Sequence, residues 1–146
     1  MSAERKTYRA AVYMILERDG KYLVIRRCGS GYRDGEYTFP AGHVDDGETA
    51  TMAAVRELNE EVGIEINENS LKFIHAMQRH ESDEDYFDFY FKINKWTDEP
   101  EIREPNKMDD LRWATPNEIN KIAVPQVAQA IQKINAGELF SCLIME

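Results

Sequence analysis

Cysteine is scarce in this chain: Cys28 and Cys142 are the only two. Two thiols make neither a disulfide framework nor a zinc pattern. Either fits a free thiol in a reducing compartment, and a single bridge between them stays open. Long apolar runs are also missing. The longest, residues 10–16, falls far short of the ~20 residues that span a bilayer. The N-terminal MSAERKTYRA is charged and lacks the apolar stretch of a signal peptide, which points to the cytoplasm and away from a membrane. Positive charge is in deficit: 18 Lys and Arg face 27 Asp and Glu, for a net charge of −9. That balance speaks against a nucleic-acid polymer as partner, because a phosphate backbone wants a basic patch. A small phosphorylated ligand remains compatible, since a metal can bridge acidic protein to an anion. There is no repeat, no low-complexity tract and no linker. A chain of 146 residues then reads as a single domain, 1–146, with a real core.

Hydrophobic periodicity and turn residues suggest mostly strands and a few helices. Residues 8–18 and 21–27 flank Asp19–Gly20 and predict a hairpin. Gly29, Gly31 and Gly35 mark a loop. Residues 37–44 read as short extended pieces broken at Pro40 and Gly42. Residues 49–62 predict a helix, with Thr49 as N-cap and Gly63 as its stop. Strands are expected over 71–79, 86–96 and 111–114. Helices are expected over 116–120 and 125–136, each with a proline in its first turn. The order implies an α/β fold, a sandwich with a mixed sheet.

The stretch RELNEEVGI, residues 56–64, sets Glu57, Glu60 and Glu61 within about one helical turn. At ~100° per residue, Thr51, Val55, Leu58 and Val62 form the expected core stripe, with the three glutamates roughly opposite. A solvated helix face is the plain explanation. Against it, like charges at these spacings repel by about 0.2–0.5 kcal/mol per pair. Carboxylates in the last turns also oppose the helix dipole, by roughly 0.3–1 kcal/mol each. A divalent cation would relieve both costs. Oxygen donors without His or Cys suit Mg²⁺ or Mn²⁺ better than Zn²⁺. From the cluster alone both readings stand.

The residues upstream extend the pattern: Gly42, five residues, Glu48, seven residues, Arg56-Glu57-Leu58, one residue, Glu60-Glu61, one residue, Gly63-Ile64. This resembles the Nudix box, filled at every fixed position. The flanks TFPAG and LRWATPNEI are also similar to the family, with Ala41 where a second glycine is more frequent. The resemblance, to the MutT-like group, implies an α/β/α sandwich around a mixed β-sheet, with the box as a loop-helix-loop. It implies that Glu57, Glu60, Glu61 and the Gly42 carbonyl hold Mg²⁺, with Mn²⁺ as a substitute. Arg56 would orient the glutamates and Glu48 brace the loop. Gly47 and Gly63 would serve backbone turns. The implied general base is Glu57, or Glu60 and Glu61 acting with metal; a later loop offers Glu99, Glu101 and Glu104 instead.

By the same resemblance the chain cleaves a nucleoside diphosphate linked to another group. A (deoxy)nucleoside triphosphate, split to monophosphate and pyrophosphate, is the first expectation. ADP-ribose or a nucleotide sugar is the second. A non-catalytic nucleotide-binding domain is the third, and an acidic metal buffer the fourth. Candidate substrate contacts are Arg27 at the end of the second strand, Phe39, His43 and Asp109. Tyr37 and Phe89 are further rings that would stack on a base, Asp110 a further acidic group, and Trp113 a core or rim residue. A homodimer is compatible with the family.

Overall fold

The structure is a computed structural model and describes residues 4–145. Residues 1–3, the start of the segment read above for a leader, and residue 146 lie outside the described residues. The first strand, β1 (Arg9–Ile15), alternates Ala11, Tyr13 and Ile15 on one face with Val12 and Met14 on the other. Both faces are apolar and buried. Such a strand belongs in the middle of a covered sheet, not in an exposed hairpin. Accordingly the expected hairpin is cut short. Asp19 and Gly20 both adopt positive φ and make the turn. Only β2 (Glu17–Arg18) pairs across it with β3 (Lys21–Arg27). β1 instead runs parallel to a distant strand, with Arg9 opposite Tyr86 and Ile15 opposite Lys92.

Two sheets result. The next strands are β4 (Tyr37–Thr38) and β5 (Ala41–His43), then β6 (Leu71–Glu81), β7 (Glu84–Ile93), β8 (Met108–Ala114) and β9 (Phe140–Met145). The five-stranded sheet has the order β5-β1-β7-β6-β9, parallel at β1–β7 and β6–β9 and antiparallel elsewhere. In the second sheet β3 pairs with β2, β4 and β8, all antiparallel. β9 was not expected from the sequence.

Helices cover both faces. α1 (Ala50–Val62) lies over Val12, Met14, Leu23 and Ile25, in a core with Ala54, Leu58 and Val62. α2 (Pro116–Ile122) and α3 (Pro125–Asn135) lie on the other side over Tyr13, Val24, Phe39 and Tyr90. This is the α/β/α sandwich around a mixed sheet. The helix ends match their residues. Thr49 caps α1 by accepting from the Met52 amide, and Gly63 ends it in the left-handed region at φ 74°. Thr115 and Glu118 form a capping box on α2. The core stripe of α1 differs from expectation: Ala53, Ala54, Leu58 and Val62 are buried, while Thr51 and Val55 are only partly so. Among the described residues no helix is long and apolar enough to cross a membrane.

Candidate active site

The turned stripe places Glu57 and Glu61 at the border of the core, while Glu60 stays exposed on the far side. Glu61 lies about 60° from Leu58 around the helix, at ~100° per residue. Glu57 and Glu61 therefore face the short strand β5, which docks against β1 with Val12 opposite Gly42. Glu61 Oε1 accepts from the Ala41 amide at 2.8 Å. Glu57 packs directly on Gly42, so closely that a Cβ there would collide with its side chain. Absence of a side chain at residue 42 is what admits the carboxylate.

Arg56 ties the assembly together. Its Nε and Nη2 donate to the two Glu48 oxygens at 2.7 and 2.8 Å. Its Nη1 donates to Glu57 at 2.8 Å and to Glu60 at 3.2 Å, and Nη2 also reaches the His43 carbonyl at 3.1 Å. Glu48 accepts from the Asp45 amide as well, closing the loop before α1. A planar five-donor guanidinium is suited to this task, and a lysine is not. Arg56 and the Asp45 amide hold the Glu48 carboxyl down at about 2. Burial pushes Glu57 above the usual carboxylate range against the pull of Arg56, with Glu60 and Glu104 adding to the rise. Burial raises Glu61 well above that range, opposed by its bond from Ala41 and reinforced by Glu57 and Glu104. Two carboxyls are thus held where their negative charge is under-compensated.

The loop after β7 closes over this end of α1. The Glu101 amide donates to the Val62 carbonyl and the Arg103 amide to that of Glu61. Of the three loop glutamates, Glu99 pairs with Arg18 and Glu101 with Arg103. Glu104 joins Glu57, Glu60 and Glu61 in lining a cavity of about 470 Å³. A second cavity, of about 360 Å³, lies on the α3 side and is walled by Tyr13, Tyr32, Tyr86, Arg79, Val124 and Gln126. The two share Arg27, Thr38, Ala41, Gly42 and His43.

As the side chains stand, no three His, Cys, Asp or Glu among the described residues are grouped to hold a metal. The reason is visible: Arg56 holds oxygens of Glu57 and Glu60, and Ala41 one of Glu61. The donor set still fits a hard divalent cation. It is all oxygen, it carries three box carboxylates beside one glycine that leaves room, and its buried charge lacks a full complement of cations.

The predicted substrate contacts separate. Arg27 and His43 line both cavities, and Arg27 donates from Nε to the Tyr32 carbonyl at 2.9 Å. Phe39 does not reach either. It is fully buried in the core under α2 and α3, so its ring is closed to a base. Asp109 is also removed from the cavities: it points outward to Arg26 at 2.7 Å. Tyr37 is buried with its hydroxyl on Asp110 and Arg112. Phe89 packs into the α1-side core, and Trp113 stacks on Trp96 at 6.3 Å. The rings that do line the cavity are Tyr13, Tyr32 and Tyr86, none singled out from the sequence. One signal was present. Asp88 interrupts an apolar strand, and a buried carboxylate needs a partner. That partner is Arg79, donating to Asp88 at 2.6 and 3.0 Å.

A sequence model of the NUDIX domain matches residues 6–134. The chain belongs to the Nudix family. It is a MutT-like Nudix hydrolase, cleaving a pyrophosphate linkage in a nucleotide-linked substrate; the family generally uses Mg²⁺. Among similar proteins, the "8-oxo-dGTP diphosphatase" of Escherichia coli K12 is 30% identical over 95 residues, covering 65% of this chain and 72% of that one. "Phosphatase NudJ" of Shigella boydii is 31% identical over 133 residues, covering 88% and 84%. A crystal structure of a MutT NUDIX hydrolase from Burkholderia pseudomallei superposes with a TM-score of 0.77 at 22% identity, covering 87% of this Nudix chain and 98% of its own. That likeness is one of fold.

Proposed function

We propose that the chain, as one domain over 1–146, is a Mg²⁺-dependent pyrophosphohydrolase that splits a (deoxy)nucleoside triphosphate into monophosphate and pyrophosphate. The observation that carries this reading is the pair of adjoining cavities. One is lined by Glu57, Glu60, Glu61 and Glu104, the other by tyrosines, and Arg27 and His43 stand between them. A nucleotide has the same two-part character, a flat base and a polyanion. The name of the Escherichia coli relative supports a triphosphate substrate.

In this reading Glu57, Glu60, Glu61 and the Gly42 carbonyl hold the cation. When bound, Mg²⁺ supplies Lewis-acid polarisation of phosphoryl oxygens and offsets their charge. Arg56 fixes the carboxylates and Glu48 fixes Arg56. Arg27 meets a phosphate oxygen where the cavities join, with His43 beside it. Glu57 takes the proton of the attacking water, a role that its place in the cavity wall against Gly42 supports. Glu104 is the second candidate for that proton, since it is the loop glutamate that lines the cavity. The intact set of box glutamates argues against a non-catalytic binding domain.

The test is turnover of (d)NTPs, 8-oxo-dGTP, ADP-ribose and nucleotide sugars with Mg²⁺ or Mn²⁺, with products separated. Pyrophosphate release from a triphosphate is expected, falling by ~10²–10⁴-fold in Glu57→Gln. Cleavage confined to ADP-ribose or nucleotide sugars, giving two phosphorylated products, would transfer the reading to that class. The same reading includes a cytoplasmic homodimer. Its support is the edge strand β9, where Ile144 is 75% and Phe140 50% exposed. Edge strands pair readily with their own copies. Ile144→Lys is expected to shift sedimentation to the monomer; a wild type already monomeric removes the dimer.

A further inference from the structure

Residues 94–107 join β7 to β8 with neither helix nor strand. Glu104, near the end of this segment, nevertheless lines the cavity beside Glu57, Glu60 and Glu61. Like charges that close repel. Burial raises the proton affinity of Glu57 and Glu61, and the charge of Glu104 raises both further. A segment without regular structure would swing such a carboxylate out to water. The contacts on either side of Glu104 show what keeps it in.

Downstream, a turn holds the chain. The Glu104 carbonyl accepts from the Lys107 and Met108 amides at 2.9 and 3.1 Å, and the Cys28 amide donates to the Lys107 carbonyl at 2.9 Å. Upstream, the anchor is the C-terminal end of α1. The Glu101 amide donates to the Val62 carbonyl at 3.0 Å and the Arg103 amide to that of Glu61 at 3.1 Å. Carbonyls in the last turn have no partner within their own helix, so the segment supplies one. Arg103 completes the dock with its side chain. Its guanidinium lies against Gly63, where a Cβ would stand 2.8 Å from Nε and 2.9 Å from Nη2. That is the negative end of the helix dipole, and α1 has no basic residue of its own in its last turn. Glu101 accepts from Nε at 2.8 Å. Gly63 thus does two things: its left-handed φ ends the helix, and its bare Cα makes a seat for Arg103.

We infer that Arg103 is a positioning residue of this hydrolase: seated on Gly63 at the end of α1, it holds the adjoining Glu104 in the carboxylate cavity, where Glu104 takes part in hydrolysis. Arg103 is not among the residues lining that cavity, so it acts through its neighbour. The inference deepens the reading above at one point, the part played by Glu104, and holds for whichever nucleotide the site cleaves.

The experiment is a double-mutant cycle between Arg103→Ala and Glu104→Gln, run on the nucleotide that the wild type cleaves fastest. Arg103→Ala is expected to lower kcat by about 10–100-fold, the scale of a displaced reacting group, with KM changed less than about twofold. Glu104→Gln should lower kcat at least as far. The two together should be no slower than Glu104→Gln alone, because the position of an absent carboxylate no longer matters. Arg103→Lys, which returns a cation to the helix end, should recover most of the loss. A merely structural role makes the two losses multiply, and that outcome overturns the inference. So does wild-type kcat in Glu104→Gln or in Arg103→Ala. A second arm needs no turnover. The amides of residues 101 and 103, corrected for intrinsic rates, should exchange hydrogen at least about tenfold faster in Arg103→Ala, while amides in the middle of α1 keep their wild-type rates. Unchanged exchange at 101 and 103 overturns the inference. The substrate reading fails separately. Cleavage confined to ADP-ribose or nucleotide sugars removes the triphosphate, and the cycle is then read on those substrates. Losses that multiply while a triphosphate is cleaved sink the present inference alone.

Discussion

At the scale of single residues, Arg56 and Gly42 set the site as much as the glutamates do. Glu48 gives a pH-dependent consequence. Its folded value of about 2 lies below the ordinary 4.5. The stability it contributes is therefore present above about pH 4.5 and is lost as pH falls toward 2. Glu48→Gln should be less stable than wild type at neutral pH, with the gap closing across that window in urea titrations at stepped pH. Gly42→Ala drives a methyl into Glu57. Its expected cost is about 1–3 kcal/mol of stability, read from denaturant curves, together with a kcat/KM loss well beyond that of Ala41→Gly, the neighbouring change that adds nothing. The spacing of the box glutamates could be read from the chain itself, because it is a local pattern on one helix. Gln126, Arg79 and the tyrosines could not. They come from five separate segments, and only the fold brings them to one cavity. Phe39 and Asp109 were misplaced for a related reason: alternation along a strand says that two faces exist, not which one is open.

At the scale of elements, α1 is the part on which the site depends, and its ends are local. Thr49 satisfies an otherwise unpaired amide in the first turn. Thr49→Ala should cost ~1 kcal/mol, seen as a Tm drop of about 4 °C, with a fall in activity because the Glu48 loop enters the helix there. Most elements were visible as periodicity, including α1, α3 and both long strands. The hairpin was overextended since Asp19–Gly20 signals a turn without saying how far pairing continues. The strand beyond it left for another sheet because both of its faces are apolar. β9 was missed because Phe140, Cys142 and Ile144 stay exposed beside buried Ser141 and Met145. Its pattern runs against the usual rule for which residues go inside.

At the scale of the molecule, the site is a seam between layers. α1 brings the carboxylates from one side of the sheet and α3 brings Gln126 from the other. Cation binding to the native state should raise Tm by roughly 5–10 °C between EDTA and saturating Mg²⁺, measured by calorimetry. Glu60→Gln with Glu61→Gln should abolish the increase, and a wild-type Tm indifferent to Mg²⁺ would count against the metal assignment. The parallel seam between β1 and β7 reaches further, into how the chain is made. Arg9 waits for Tyr86, and Tyr22 for Ala114. On the ribosome the helix bearing the glutamates emerges long before either partner, while the apolar β1 stands without its neighbour. Contacts so distant along the chain fold slowly. The period of greatest exposure to chaperones or to aggregation should therefore fall late in synthesis, and end when the last strands arrive.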